Sequence, residues 1–211
     1  ASLKHTPGGA FGSCRFKLDD PKINKTQYEK IISVFKEHDI GYFFYNGGGD
    51  SQDTTNKLSE YAKSVGYDLK CIGLPKTIDN DLPYTDFSPG FPSTAKYIAI
   101  STLEAGLDVV SMAAASTKVF ILEVMGRNAG WIAAASALAS NDKSKPPHII
   151  LFPEVAFDSV KFLSQVDMCV KKYGFCTIVA AEGIKNSDGV FLSEHSEAGD
   201  SFGHKQLGGV S

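Results

Sequence analysis

Long apolar runs are missing from this sequence. No stretch of about 18 apolar residues occurs, and no basic segment leads into an apolar core near the start, so neither a membrane span nor a secretory signal is expected. Cysteine is sparse. Cys14, Cys71, Cys169 and Cys176 stand far apart with no C-x-x-C pair. Three of them lie in or beside apolar runs, which suits reduced, partly buried thiols in a cytoplasmic protein. The five histidines, His5, His38, His148, His195 and His204, lack the spacing of a zinc site. Strong charge is absent as well: a net charge of -3 gives no pull toward nucleic acid or an anionic membrane surface. Internal repeats and low-complexity tracts do not occur. What remains is 43% hydrophobic and 21% charged over 211 residues, an ordinary globular composition with room for one large domain or two smaller ones.

What is present alternates. Thr26-Gln27-Tyr28-Glu29 has the form of a capping box, and Ile31, Ile32, Val34 and Phe35 follow at helical spacing, predicting a helix that ends near Gly41. The aromatic run Tyr42-Phe43-Phe44-Tyr45 suits a strand buried on both faces. A glycine turn, Asn46-Gly47-Gly48-Gly49-Asp50-Ser51, then leads into a helix over about 53–65. The strand 69–74 ends in Pro75-Lys76-Thr77-Ile78-Asp79-Asn80-Asp81, closed by Pro83. Pro89-Gly90-Phe91-Pro92 breaks the chain, with a domain boundary expected near residue 92. Ser93 or Thr94 should cap a helix running to about 111. Strands over 118–124, 148–152 and 175–181 alternate with helices over 129–140 and 158–173. This order predicts an α/β fold of doubly wound parallel sheets.

Polar chemistry collects at particular places in that order. The glycines of Thr6 to Phe16 leave backbone N–H groups able to approach an anion, with Arg15 to add charge, or they form a plain flexible terminus. The loop 47–51, between strand and helix, suits phosphate. It is neither a Walker A loop, for want of Gly-Lys-Ser/Thr, nor a dinucleotide fingerprint, because Gln52 stands where the last glycine would be. Read alone, 75–81 is either an Asx-type surface turn or a site. The pattern is sharper as a set. Gly47 to Ser51, Lys76 to Asp81, Met125 to Arg127 and Glu182 all follow carboxyl ends of predicted parallel strands, where open α/β sheets bind ligands.

Together, Lys76-Thr77-Ile78-Asp79-Asn80-Asp81, the Gly47 to Ser51 loop, Met125-Gly126-Arg127 and Gly12-Ser13-Cys14-Arg15-Phe16 resemble the 6-phosphofructokinase family, in the family's order and over essentially the whole chain. The resemblance implies two Rossmann-like domains, each incomplete here. Residues 1–92 would be a phosphoryl-donor domain lacking its N-terminal part, and 93–211 a fructose 6-phosphate domain lacking its C-terminal part. The implied reaction is a reversible glycolytic step, phosphoryl transfer to the 1-hydroxyl of fructose 6-phosphate. Asp79 matches the proton acceptor, with Thr77 and Ile78 in the same reacting region. Met125, Gly126, Arg127, Glu182 and His204 match sugar-phosphate contacts. Arg15, Gly48, Gly49, Asp50, Ser51 and Lys76 match the donor site, and Asp81 matches a ligand of Mg2+, a hard cation suited to oxygen. The implied partners are small molecules and further copies of the chain, as a dimer or tetramer, with no nucleic acid and no membrane.

The resemblance also bears on the donor. Asp50 falls where the pyrophosphate-dependent branch carries an aspartate and the ATP-dependent branch a glycine; its carboxylate would occupy and repel the place of an ATP α-phosphate. Lys76 points the same way, since its ammonium can offset charge on departing phosphate. The alternatives are an ATP-dependent 6-phosphofructokinase and an inactive regulatory subunit that only binds sugar phosphate. Three departures stand out. Gly49 replaces the usual metal-binding aspartate, so that either Asp81, water and phosphates hold magnesium or Asp50 serves both purposes. Lys118 replaces an arginine that reaches a neighbouring subunit's sugar phosphate, and loses its bidentate fork. Leu207 replaces a phosphate-gripping arginine near His204, with Lys205 a substitute cation.

Overall fold

The computed structural model describes residues 2–6, 9–14, 16–199 and 205–207. They form two compact units, Ala1–Pro75 and Lys76–Ser211. Residues 76–92, expected with the first domain, belong to the second unit. The reason is packing: Ile78 joins a core cluster with Phe91 and Ile98, and Asn80 is tied by its side chain to Asp86 and Ser88. All four cysteines are unpaired. No helix among the described residues is long and apolar enough to cross a membrane.

In the first unit, strands β1 (Tyr42–Gly47) and β2 (Lys70–Pro75) pair in parallel, with helices α1 (Lys25–Glu37) and α2 (Gly49–Ser64). The capping box is not used. Asn24 takes the cap position without a side-chain cap bond, while the Gln27 amide oxygen accepts from Asp19 N–H at 3.2 Å. The buried Tyr28 ring meets Tyr61 at 5.1 Å, and its hydroxyl donates to the Asp19 carbonyl at 2.6 Å. The helix stops before Gly41 because Asp39 adopts the left-handed backbone, φ 52°. The core of Leu18, Ile32, Leu58, Tyr61, Ala62 and Leu69 takes in Phe43 and Cys71. The opposite side of β1 is bare: Tyr42 is 66% and Phe44 58% exposed. Alternation thus replaces the strand buried on both faces, because the unit's core lies on one side of its sheet.

The second unit is wound on both faces. Strands β3 (Val119–Val124), β4 (Ile149–Leu151) and β5 (Cys176–Ala181) are parallel, in the order β3-β5-β4. Every residue of β5 is buried, as a central parallel strand requires. Helices α3 (Phe91–Met112) and α4 (Trp131–Ala135) share one cluster with Leu122, Val124, Val179 and Ala181. Helix α5 (Ser159–Tyr173) sets Phe162, Val166, Cys169 and Val170 against Ile121, Ile149, Cys176 and Ile178. Alternate residues of each strand therefore face alternate helical layers. Asp158 caps α5, accepting from Lys161 N–H at 3.0 Å. The helix expected over 129–140 is shorter, continuing from α4 as a 3₁₀ turn, Ser136–Ala139. An antiparallel pair, β6 (Glu194–Gly199) and β7 (Lys205–Leu207), follows and was not expected from the sequence. The chain leaves β3, fills the far edge with β4, and returns to the middle with β5. In open α/β sheets, ligands bind at the strands' carboxyl ends where the order reverses.

Candidate active site

The loop after Pro75 is shaped by one buried amide. Asn80 sits in the left-handed region, φ 56°, which asparagine tolerates better than most residues. Its Oδ1 accepts from Ser88 N–H at 2.8 Å, and its Nδ2 donates to the Asp86 carbonyl at 3.2 Å. Thr77 Oγ1 accepts from Asp79 N–H at 3.1 Å. With Ile78 anchored in the core and Asn80 pinning residues 86–88, the two carboxylates on either side of Asn80 differ. Asp79 is half-buried and Asp81 is exposed.

Beside this loop lie the ends of β3 and β5, which are neighbours in register, Val124 opposite Ala181. Each strand runs straight into its polar residues, Met125-Gly126-Arg127 and Glu182-Gly183. Gly126 has φ 132°, closed to other residues, and its N–H approaches Glu182 Oε1 at 3.4 Å. A Cβ on Gly183 would come within 1.9 Å of the Arg127 carbonyl oxygen, so the two strand-end turns are in backbone contact.

These elements converge electrostatically on Asp79. Burial pushes its carboxyl above the ordinary aspartate range, and the negative charges of Asp81 and Glu182 push it further. Lys76 and Arg127 pull it back. Its Oδ1 is buried without a hydrogen-bond partner, although buried polar atoms are normally paired. A half-buried carboxylate with raised proton affinity, an open acceptor atom and two cations nearby has the properties of a general base. Among the described residues no three His, Cys, Asp or Glu side chains gather as a metal cage. Asp81, with its exposed carboxylate, is the residue here able to serve a hard cation that is otherwise held by water and phosphate.

The glycine loop belongs to the first unit. Gly48 precedes α2 in extended backbone, and the helix begins at Gly49 rather than near 53, with Asp50 in its first turn. Local bonds explain the early start. Ser51 and Gln52 N–H both donate to the Gly48 carbonyl, and Gln52 Nε2 donates to the Gly47 carbonyl at 3.1 Å. Asp50 at the positive helix end is favourably placed, and Lys17 Nζ lies 3.7 Å from its Oδ1.

The structure therefore brings together Lys76, Thr77, Ile78, Asp79 and Asp81 with Met125, Gly126, Arg127 and Glu182, all in the second unit. Gly48, Gly49, Asp50 and Ser51 form a separate loop in the first. Lys118 does not join the Asp79 cluster: it precedes β3, whose six residues put the two strand ends about 20 Å apart. Arg15 and His204 lie outside the described residues. Two contributors escaped the sequence reading. In sequence Asn80 reads as ordinary turn chemistry; its left-handed backbone and its bonds to Asp86 and Ser88 are seen only in the structure. Lys17 carried no motif signal.

Carboxylates and cations gathered at the carboxyl ends of parallel strands are the arrangement by which open α/β proteins bind ligands. Comparison with known proteins narrows this. The Phosphofructokinase family profile matches residues 1–211. A protein of Halomonas elongata named pyrophosphate–fructose 6-phosphate 1-phosphotransferase is 59% identical over 211 residues, all of this chain and 50% of that protein. The crystal structure of a pyrophosphate-dependent phosphofructokinase from Marinobacter aquaeolei matches with a TM-score of 0.77 and 62% identity, covering 87% of this chain and 45% of that one. An ATP-dependent 6-phosphofructokinase of Amycolatopsis methanolica is 35% identical over 162 residues, 74% of this chain and 33% of the relative. The chain spans about half the length of the first two proteins. It belongs to the phosphofructokinase family.

Proposed function

We propose that the full-length protein transfers a phosphoryl group from pyrophosphate to the 1-hydroxyl of fructose 6-phosphate, reversibly and in the cytoplasm. The observation that carries this reading is the Asp79 carboxylate, its oxygen left without a partner among Lys76, Arg127, Asp81 and Glu182. In this mechanism the 1-hydroxyl gives its proton to Asp79 as its oxygen attacks the terminal phosphorus. A new O–P bond forms, the bridging P–O bond of pyrophosphate breaks, and inorganic phosphate leaves. Arg127, the Gly126 backbone and Glu182 hold the sugar phosphate and its hydroxyls. Thr77 orients the base through its bond to Asp79 N–H. Lys76 offsets charge on the departing phosphate. Asp81 would hold Mg2+, which would neutralise charge spread over the phosphoryl oxygens.

In this reading the first unit binds the donor and the second the acceptor, with the division at Pro75 rather than at 92. Asp50, in the first turn of α2, puts a negative charge where a longer nucleotide chain would place its α-phosphate, and so favours pyrophosphate. The high identity to relatives named for pyrophosphate supports the same donor. Lys118, at the amino end of β3, would serve the site of a second copy, which makes the working enzyme a homo-oligomer. The test is a donor assay on the full-length protein with fructose 6-phosphate and magnesium. Pyrophosphate is expected to give the higher kcat/KM, and a higher value with ATP would reverse the donor assignment.

A further inference from the structure

The Arg127 loop is held from two sides. At its start, beside the end of β5, Gly126 N–H meets Glu182 at 3.4 Å, long for a hydrogen bond. At the loop's other end, Gly130 N–H donates to Glu154 Oε1 at 2.8 Å, the length of a good charge-assisted bond. Glu154 follows β4, on the far side of β5 from the loop it binds. The fit is close: a Cβ on Gly130 would lie 2.6 Å from Phe152 Cδ1 and 2.8 Å from Glu154 Oε2. Two carboxylates, each following a different strand, thus hold the two ends of the same short loop, and the better bond is made by Glu154.

We propose that Glu154 is a positioning residue, which sets the Arg127 loop for the sugar phosphate without touching it. This rests on the functional reading above. Phe152, Pro153 and Gly130 form a rigid seat, so a carboxylate there fixes where α4 begins and, three residues earlier, where Arg127 leaves the backbone. Loosening the seat should let the loop sample positions in which Arg127 and the Gly126 N–H no longer grip the phosphate together. The loss would then fall on acceptor binding and spare the donor.

The test uses the full-length protein and two variants. Glu154→Leu removes the acceptor at similar size, and Glu154→Gln keeps an amide oxygen for Gly130 N–H. Glu154→Leu is expected to raise KM for fructose 6-phosphate about tenfold, as loss of one charge-assisted hydrogen bond would, with KM for pyrophosphate unchanged. Glu154→Gln should restore most of the loss. Hydrogen exchange in the peptide containing Gly130 should be faster in Glu154→Leu than in the parent and Glu154→Gln. An unchanged KM for fructose 6-phosphate, or a fall in kcat alone, would overturn the positioning role even if exchange rises. Exchange that does not change would overturn the brace itself. A parent protein inactive with fructose 6-phosphate would sink the functional reading instead, and the exchange measurement would still decide the brace.

Discussion

The glycine loop of the first unit and the Arg127 loop of the second are built by opposite means. The glycine loop of the first unit is held locally: Gln52 reaches back five residues to Gly47, and Thr55 four residues to Ser51. Its charged group, Asp50, is part of the loop, and helix α2 starts at once. The Arg127 loop of the second unit is held at long range, by Glu182 fifty-six residues from Gly126 and by Glu154 twenty-four residues from Gly130. A local loop can change its preference by one substitution without disturbing its fold. A loop braced from other strands is positioned more firmly, and it is coupled to whatever those strands carry, here the environment of Asp79. In the proposed reaction the first loop selects a donor and the second holds the acceptor against the base.

The largest test of this contrast is Asp79→Asn. Turnover in the full-length enzyme is expected to fall by roughly 10²–10⁴, the usual worth of a general base, with substrate KM values little moved. Near-normal turnover would remove Asp79 from that role. The same residue predicts the pH behaviour. Its carboxyl is raised, so activity should begin to fall, on acidification, above the ordinary aspartate range, and the acid limb should vanish in the variant. The sign for stability is the reverse. A carboxyl raised on folding stabilises the protein while protonated, and that contribution is lost as pH rises through the folded value. Asp79→Asn should therefore melt no lower than the parent at neutral pH, and a clear drop in Tm would contradict a desolvated, partnerless carboxylate.

Asp50→Gly is the matching test of the local loop. The ratio of kcat/KM for ATP to that for pyrophosphate should rise on the order of tenfold to a hundredfold, the effect of removing one unfavourable like-charge contact. Fructose 6-phosphate KM should stay put, and a shift there instead would erase the division of labour. Asn80→Ala separates folding from chemistry in the second unit. It removes two side-chain hydrogen bonds from a buried position and should cost about 1–3 kcal/mol in chemical denaturation. A loss near zero would mean that Asn80 does not shape the loop. The smallest effect is expected from Lys17→Gln. Its pairing with Asp50 is partly exposed and 3.7 Å long, so stability should change by less than about 1 kcal/mol. Pyrophosphate KM should rise less than threefold, a ceiling on the order of what such an ion pair is worth. A larger rise would make Lys17 a donor ligand in its own right.

Much of the fold was legible because its signals are local. The strands at 42–47, 70–75, 119–124 and 176–181 are apolar runs of strand length, and the helices between them carry 3.6-residue periodicity. Departures fall where a neighbouring residue or the side on which the core lies overrides the expected local preference. Thr26 falls inside α1, which begins at Lys25, and its would-be partner Glu29 pairs with Lys25 instead, while Asp39 rather than Gly41 takes the left-handed turn. Tyr42 and Phe44, whose hydrophobicity predicts burial, are exposed because the core lies on the opposite side of the sheet.

By itself the sequence determined which groups are available, a lysine, two aspartates, an arginine and a glutamate, each after the carboxyl end of a strand. It also determined much of the glycine loop after β1, since bonds within five residues hold its backbone. Only the tertiary structure decided which groups meet. Pairing of β3 with β5 brings Glu182 to Gly126, and the packing of Ile78 and burial of Asn80 carry Asp79 into the second unit. Burial then separates Asp79, half-buried, from the exposed Asp81, a difference that two aspartates two residues apart do not carry in their residue type. The physical reason is range. Helix period, strand length and turn chemistry act over a few residues, whereas the proton affinity of a carboxylate depends on every charge and every excluded water around it in space.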